Sequence, residues 1–187
     1  SLRGLKVALV EKKDFGAETS SATLKMVHGG LRYLQHLDFV RMRESIRERS
    51  TMLRIAPHLV EPFPFLVPTY GHFMQGKEAM TAAVVMNEVM SFDRNRQLSD
   101  PARRIPSGRI ISKRECLELA PGVEPKGLTG GMIFYDAQMY NSERLTLSFA
   151  LSAAQAGADL ANYVEVARVI RESSRVTGAK VKDLLTG

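Results

Sequence analysis

The sequence predicts an α/β fold, and three stretches carry that prediction. Leu5–Val10, broken only by Lys6, is a short apolar run of the kind found in parallel strands covered on both faces. From Thr19 to Tyr33 the chain sets hydroxyl residues, a lysine, a histidine, a glycine pair and an Arg-Tyr pair into fifteen positions. A charged helical pattern then runs from Leu37 to Ala56 and stops at Pro57, because the residue before a proline avoids the α region. A strand, a hydroxyl-rich turn and a glycine pair ahead of a helix suit a large phosphorylated ligand.

Glu11 ends the first strand. In dinucleotide-binding folds an acid at the end of the second strand accepts hydrogen bonds from ribose hydroxyls. A solvated glutamate in an EKKD turn is the competing reading, and both stand at this point. The usual G-x-G-x-x-G loop, about twenty residues earlier, would precede Ser1. In the turn, Thr19, Ser20, Ser21 and Thr23 offer hydroxyls and backbone N–H groups to phosphate oxygens, and Lys25 adds a positive charge. After His28, Gly29 and Gly30 place no Cβ in the way of a flat or bulky ligand.

The helix from Leu37 carries Arg41, Arg43, Arg47, Arg49 and Arg54, with Glu44 and Glu48 interleaved as i,i+4 neighbours. No stacking aromatics accompany these arginines, so a solvated, ion-paired helix is expected and no nucleic-acid partner. Val40, Ile46 and Leu53, with Arg43 and Arg47, mark its faces. APHLVEPFPFLVP holds four prolines in thirteen residues and must be extended. Lys77–Phe92 reads as an apolar helix whose Met80, Val84 and Met90 face a core by default, another subunit or a bilayer surface being the other choices. Asp93–Ser112 is basic and loop-like, an expected exposed link. Ser112 to Glu115 forms a capping box for a short helix that stops at Pro121.

Leu128–Tyr140 alternates as a strand headed by Gly130-Gly131, and Asp136 within it is assigned a structural or supporting role. Asn141 or Ser142 caps a helix Glu143–Ala156 that Gly157 ends. Ala161–Val169 returns as an apolar strand, and Arg168–Leu185 reads as a hairpin around SSRVTG.

With 187 residues, 44% hydrophobic and 25% charged, the chain can bury a core of one domain or a domain and a half. A net charge of +6 favours anionic partners or simply a solvated basic surface. The lone Cys116 excludes an internal disulfide and fits a reducing compartment. The longest uncharged apolar patch, Ala82–Met86, is far short of the ~20 residues of a membrane span. The opening LRGLKVALV does not read as a signal peptide. Both termini fall inside regular structure, so a piece of a longer protein is expected.

TSSATLKMVHGGLRYLQ resembles, without gaps, the TSSRSTKLIHGGLRYL motif of the FAD-dependent glycerol-3-phosphate dehydrogenases. VALVEKKDF lies at the matching place upstream and APHLVEPFPFLVP downstream. GGMIFYDAQMYNSERLTLSFALSAAQAGADLANYVEV is similar to a later segment of that family. The NYVEV and KVKDLLTG stretches are particularly similar to the mitochondrial-type, quinone-linked branch. Ala22 and Leu24 replace residues that are often polar in the family, and Asn141-Ser142 stand near a position often occupied by Asp-Ala.

The resemblance implies part of an FAD-binding, Rossmann-like flavoprotein domain of two or three layers with an inserted α+β substrate-side region. It implies an FAD-binding segment at 1–62, a substrate-side insertion at 63–126, and a return to the substrate-side sheet and FAD-binding segment at 127–187. FAD contacts are then expected from Glu11, Thr19, Ser20, Ser21, Lys25, His28, Gly29 and Gly30, and from the Val166 backbone against adenine. The implied reaction is oxidation of sn-glycerol 3-phosphate to dihydroxyacetone phosphate. His28 stands beside the flavin as a base, or as a packed histidine shaping the turn. Arg32 holds phosphate, and Tyr33 contacts substrate or orients Arg32.

The implied partners are glycerol 3-phosphate, a quinone acceptor and a membrane surface bound peripherally. The location would be the cytoplasmic face of a bacterial inner membrane or the mitochondrial inner membrane, with room for a homo-oligomer. No metal is expected. An oxidase that gives its electrons to oxygen, and an inactive segment serving as an interaction module, are the alternatives. Without the glycine loop, weak FAD binding by this segment alone is expected.

Overall fold

The structure is a computed structural model that describes residues 3–71 and 76–187, so residues 72–75 of the expected substrate-side insertion lie outside the described residues. In chain order come β1 (Ala8–Val10), β2 (Met26–Val27), a 3-10 helix (Leu31–His36), α1 (Phe39–Ile55) and β3 (Val60–Tyr70). These are followed by α2 (Lys77–Met90), β4 (Arg109–Ser112), α3 (Lys113–Leu119) and β5 (Leu128–Met139). The last elements are α4 (Ser142–Gln155), β6 (Asp159–Ala161), β7 (Val164–Glu172) and β8 (Arg175–Asp183). The mixture of helix and strand is the α/β class that the sequence predicts. The chain divides into two compact units, Lys25–Tyr140 and the pair of segments Ser1–Leu24 and Asn141–Gly187.

The Lys25–Tyr140 unit is built on β5, which pairs antiparallel with β2, β3 and β4. Pro62, Pro64 and Pro68 lie in β3 opposite Ala137, Tyr135 and Gly131. Their even spacing turns all three toward one side of the strand. Among the described residues β3 has no second strand neighbour, so the missing N–H groups fall on its open edge. That is why the proline-rich segment forms a long strand.

α1 packs Met42, Ile46, Arg49 and Leu53 inward as one stripe. Val40, which the sequence sets with Ile46 and Leu53 as a face marker, is 72% exposed, because two positions before Met42 it falls on the opposite face of the helix. α1 begins at Phe39 rather than Leu37, because Leu37 takes φ +53 and Asp38 Oδ1 accepts the Arg41 N–H as the cap. α2 half-buries Met80, Val84 and Met90, while Val85, Met86 and Val89 stay exposed. The expected exposed basic link from Asp93 proves structured. Arg109–Ser112 is strand β4, and Arg94 reaches Glu88 (2.8 Å), the Ile105 carbonyl (3.1 Å) and Ser107 Oγ (3.0 Å). Ser112 Oγ accepts from Glu115 N at 3.1 Å, the cap that the sequence predicts, and opens α3.

In the other unit β1 pairs parallel with β6, and β7 pairs antiparallel with β8. β1 is parallel as expected but is not covered on both faces. Leu9 is 47% and Val10 37% exposed, because β1 has β6 as its single strand neighbour among the described residues. The expected strand Ala161–Val169 is broken in two, since Tyr163 takes φ +57 and separates β6 from β7. Asn141 Oδ1 accepts from Arg144 N at 2.7 Å to cap α4, and Gly157 at φ +83 ends it.

Candidate functional site

The glycine pair of the Lys25–Tyr140 unit sits on a buried ion pair. Arg49 projects from α1 and Asp136 from β5, and they are 2% and 3% exposed. Arg49 Nη1 donates to Asp136 Oδ1, which also accepts the Gly29 backbone N–H at 2.6 Å. The Tyr135 carbonyl accepts from Arg49 Nη1 at 3.3 Å. A single carboxylate thus ties the loop of Gly29 to a helix and to the central strand.

The two glycines are explained by what lies beneath them. A Cβ at Gly29 would stand 2.7 Å from Arg49 Cζ. One at Gly30, at φ +81, would stand 2.7 Å from Tyr33 Cδ2 and 3.2 Å from the Met42 Cα. Neither residue admits a side chain, because protein already fills the space. Close approach by a ligand, the reason the sequence suggests for these glycines, is thus joined by an internal one.

Burial pushes the Asp136 carboxyl above the usual carboxylate range, against the pull of the Arg49 guanidinium and the Gly29 N–H. Burial likewise pulls the Arg49 guanidinium down, against the attraction of Asp136. Each group alone would be costly to bury, and together they compensate in part. Arg49 Nε and Nη2 are buried with no hydrogen-bond partner among the described residues, so the compensation is incomplete. The expected supporting role of Asp136 matches this geometry. Arg49 departs from the expected solvated helix, because it lies within the inward stripe of α1.

Above this pair the site opens outward. His28 and Arg32 are exposed and Tyr33 is half-buried. The His28 and Tyr33 rings meet edge-on, 6.2 Å between centroids. Lys25 opens the same unit at φ +59, with its carbonyl accepting the Met139 N–H at 2.7 Å. An exposed imidazole and a guanidinium therefore sit four positions apart on a backbone fixed from below.

The remaining sequence-predicted residues belong to the other unit. The Glu11 turn is tied to the β6–β7 junction: Glu11 N donates to the Ala161 carbonyl (2.9 Å), Val164 N to the Glu11 carbonyl (2.8 Å) and Tyr163 N to the Lys13 carbonyl (3.1 Å). Lys12 pairs with Glu165 at 2.7 Å, which places the turn beside the strand bearing Val166. Glu11 Oε1 accepts the Lys13 N–H at 2.8 Å. Thr19, Ser20 and Ser21 lie in a turn held by the Lys13–Glu18 ion pair, and the Ser21 hydroxyl reaches the Glu18 carbonyl at 2.8 Å. Thr19 is exposed, and Ser20 and Ser21 are half-buried. Taken by itself, the smaller unit offers an acid and hydroxyls of the kinds that suit ribose and pyrophosphate, and the larger unit offers an imidazole and a guanidinium beside its glycine pair. No cluster of metal-binding side chains occurs among the described residues.

A parallel β1–β6 pair followed by a hydroxyl-rich turn in one unit, and a glycine pair anchored on a buried acid in the other, are features that suit an α/β protein binding a nucleotide cofactor. The sequence profile of the family described as FAD dependent oxidoreductase matches residues 1–185, and the chain belongs to that family. The cofactor of the family is FAD. The chain is 38% identical over its whole length to a glycerol-3-phosphate dehydrogenase of Synechocystis and covers 32% of that protein. It is 37% identical over 99% of its length to the human mitochondrial glycerol-3-phosphate dehydrogenase, covering 26% of it. The crystal structure of the glycerol-3-phosphate dehydrogenase from Bacillus halodurans complexed with FAD superimposes with a TM-score of 0.65 at 25% identity, over 99% of this chain and 27% of that one. The chain thus spans about a third or less of the length of these relatives.

Proposed function

We propose that this chain is the part of an FAD-dependent glycerol-3-phosphate dehydrogenase that carries the proton-handling and phosphate-holding residues. The observation behind the proposal is the run His28–Tyr33, whose glycines rest on Arg49 and Asp136 and whose polar side chains point outward. The similarity to glycerol-3-phosphate dehydrogenases along the whole chain supports it.

FAD, when bound, supplies the acceptor for the hydride leaving C2 of sn-glycerol 3-phosphate. The His28 imidazole receives the proton of the C2 hydroxyl on a ring nitrogen. Arg32 holds the substrate phosphate through its guanidinium fork and keeps its charge throughout. Tyr33, in edge contact with His28, orients the imidazole and offers its hydroxyl to the substrate. Glu11 accepts from the ribose of FAD. Thr19, Ser20, Ser21 and Lys25 bind its pyrophosphate, the backbone of Gly29 and Gly30 flanks the flavin, and Val166 meets adenine. In this reading 1–62 serves the cofactor, 63–126 serves the substrate side, and 127–187 returns to the substrate-side sheet and the FAD-binding segment.

Dihydroxyacetone phosphate is the product and quinone the electron acceptor. The enzyme works peripherally at a membrane surface, on the cytoplasmic face of a bacterial inner membrane or on the mitochondrial inner membrane. No described helix is long and apolar enough to cross a membrane.

The test is the visible absorbance of the purified full-length protein under anaerobic conditions. A flavin spectrum that bleaches on adding glycerol 3-phosphate, and returns with a soluble quinone, supports the reading. Flavin that does not bleach overturns the substrate. Return of colour with oxygen faster than with quinone overturns the acceptor.

A further inference from the structure

A concavity of about 460 Å³ lies between α1 and the turn that follows α2. Its walls include Arg47 and Arg54 from α1 and Arg94 and Arg96 from the turn, with Asp93 as the single acid. Asp93 is already neutralised: Arg43 Nη1 and Nη2 reach its two carboxylate oxygens at 2.7 Å each. Arg94 is likewise matched, by Glu88 at 2.8 Å. Arg47, Arg54 and Arg96 form no ion pair among the described residues, and Arg47 feels Asp93 only through its charge, so three guanidinium groups line one cleft without an acid bonded to any of them. Glu44 and Glu48 share α1 with two of them, yet neither lines the cleft nor pairs with them.

The walls are fixed. Ser50 Oγ lies within hydrogen-bond reach of the Arg94 carbonyl at 2.8 Å, and Arg43 Nη1 donates to the Met90 carbonyl at 2.5 Å. Arginines that share one cleft with a single, already paired acid repel one another, and a solvated charged face would disperse or interleave them. The half-buried Thr51 and the exposed Gln97 add a hydroxyl and an amide to the same lining. Guanidinium forks match tetrahedral oxyanions, and the volume exceeds what a lone phosphate fills.

We propose that this cleft binds a soluble, multiply charged phosphoryl ligand, such as a diphosphate or a phosphorylated metabolite, at a site separate from the His28–Arg32 run. The proposal does not rest on the dehydrogenase reading, since it uses none of those residues.

The experiment is calorimetric titration of the full-length protein with pyrophosphate at low and moderate salt. The expected result is saturable binding that weakens at least tenfold in Arg47→Ala/Arg96→Ala and steeply with salt, while Arg144→Ala on α4 leaves it unchanged. Should the double variant misfold by circular dichroism, Gln97→Glu places a carboxylate on the exposed lining without removing an arginine, and it should weaken binding to the same degree. Equal affinity in wild type and these variants would overturn the proposal. So would failure of pyrophosphate together with arginine-dependent binding to phosphatidylcholine vesicles containing phosphatidic acid, which would assign the cleft to a lipid surface.

Discussion

The two units bury their apolar side chains very differently. Of the fully buried apolar residues among those described, Leu145 alone belongs to the unit of Ser1–Leu24 and Asn141–Gly187, and all the others lie in Lys25–Tyr140. The larger unit has a core from Met42 to Ala137 and sets a charged pair inside it. In the smaller unit Leu9, Leu151, Val166, Val169, Val176 and Val181 are each about half exposed. Local stability follows buried area, so the His28–Tyr33 run stands on the firm unit and the Glu11 turn on the soft one.

The strongest way to break this contrast is to unbalance the buried pair. Arg49→Met leaves the Asp136 carboxylate buried without its counter-charge. The expected loss is about 3–5 kcal/mol, measured as a fall in the urea midpoint at unchanged slope. Arg49→Met/Asp136→Leu should recover most of that loss, because an apolar pair of similar volume carries no desolvation cost. Recovery should stop short by about 1 kcal/mol, since the Gly29 N–H loses its acceptor. Additive losses would show that the pair acts through something other than mutual charge.

Truncation within the two units sharpens the same comparison. Leu53→Ala, at 1% exposure, should cost about 2–5 kcal/mol. Val181→Ala, at 53% exposure, should cost under about 0.5 kcal/mol. Hydrogen exchange should agree, with slow amides on β5 and α1 and fast ones on β7 and β8.

These differences bear on what the sequence could disclose. The class of fold, the capped helices α3 and α4, the hairpin and the extended proline segment were all legible, because each depends on local chemistry: a serine at an N-cap, a glycine at a stop, prolines in a row. The burial of Arg49 was not, because a helix bearing five arginines reads as solvated. A signal existed: Met42, Ile46 and Leu53 recur at helical spacing, and Arg49 falls within their stripe. A cation in an apolar stripe requires a buried acid, and Asp136, in a strand of small and apolar residues, is the matching oddity. Likewise, the strand break at Tyr163 left no mark, since a tyrosine at φ +57 is dictated by the backbone bonds of Tyr163 and Val164 to Lys13 and Glu11.

The glycine pair tests whether the ion pair serves the site. Gly29→Ala drives a methyl into the Arg49 guanidinium, and Gly30→Ala meets Tyr33 and the Met42 backbone at an unfavourable φ. Each should cost about 1–3 kcal/mol. In the full-length protein, Gly29→Ala should also lower flavin retention more than Leu53→Ala does at matched loss of stability. Equal retention would detach the Arg49–Asp136 pair from the cofactor.

Two of the paired acids in the larger unit, Asp93 and Asp136, should respond to pH with opposite signs. Arg43 holds the Asp93 carboxyl below its usual range by hydrogen bonding, so its contribution is present above the ordinary carboxylate pKa and is lost as pH falls through the lowered one. Asp136 is raised, chiefly by burial, so the folded state binds the extra proton there. Its ionisation removes stability as pH rises from the ordinary value through the raised one. Asp93→Asn should cost about 1 kcal/mol at pH 7 and flatten the acid limb of urea midpoints between about pH 2 and 5. A limb of unchanged slope would remove Asp93 from the acid response.

The smallest effect belongs to the soft unit. Lys12 and Glu165 stand 2.7 Å apart with side chains 61% and 39% exposed. Each shifts the other in the stabilising direction, Lys12 upward and Glu165 downward, through their shared hydrogen bond first and their charges second. Water and salt screen that attraction, and holding two long side chains together costs entropy. Lys12→Ala should therefore leave the urea midpoint unchanged at moderate salt, although the pair is as short as Arg43–Asp93. A measurable loss, abolished by added salt, would mean that the Glu11 turn depends on this bridge and that the smaller unit is held together by charge where the larger one is held by packing.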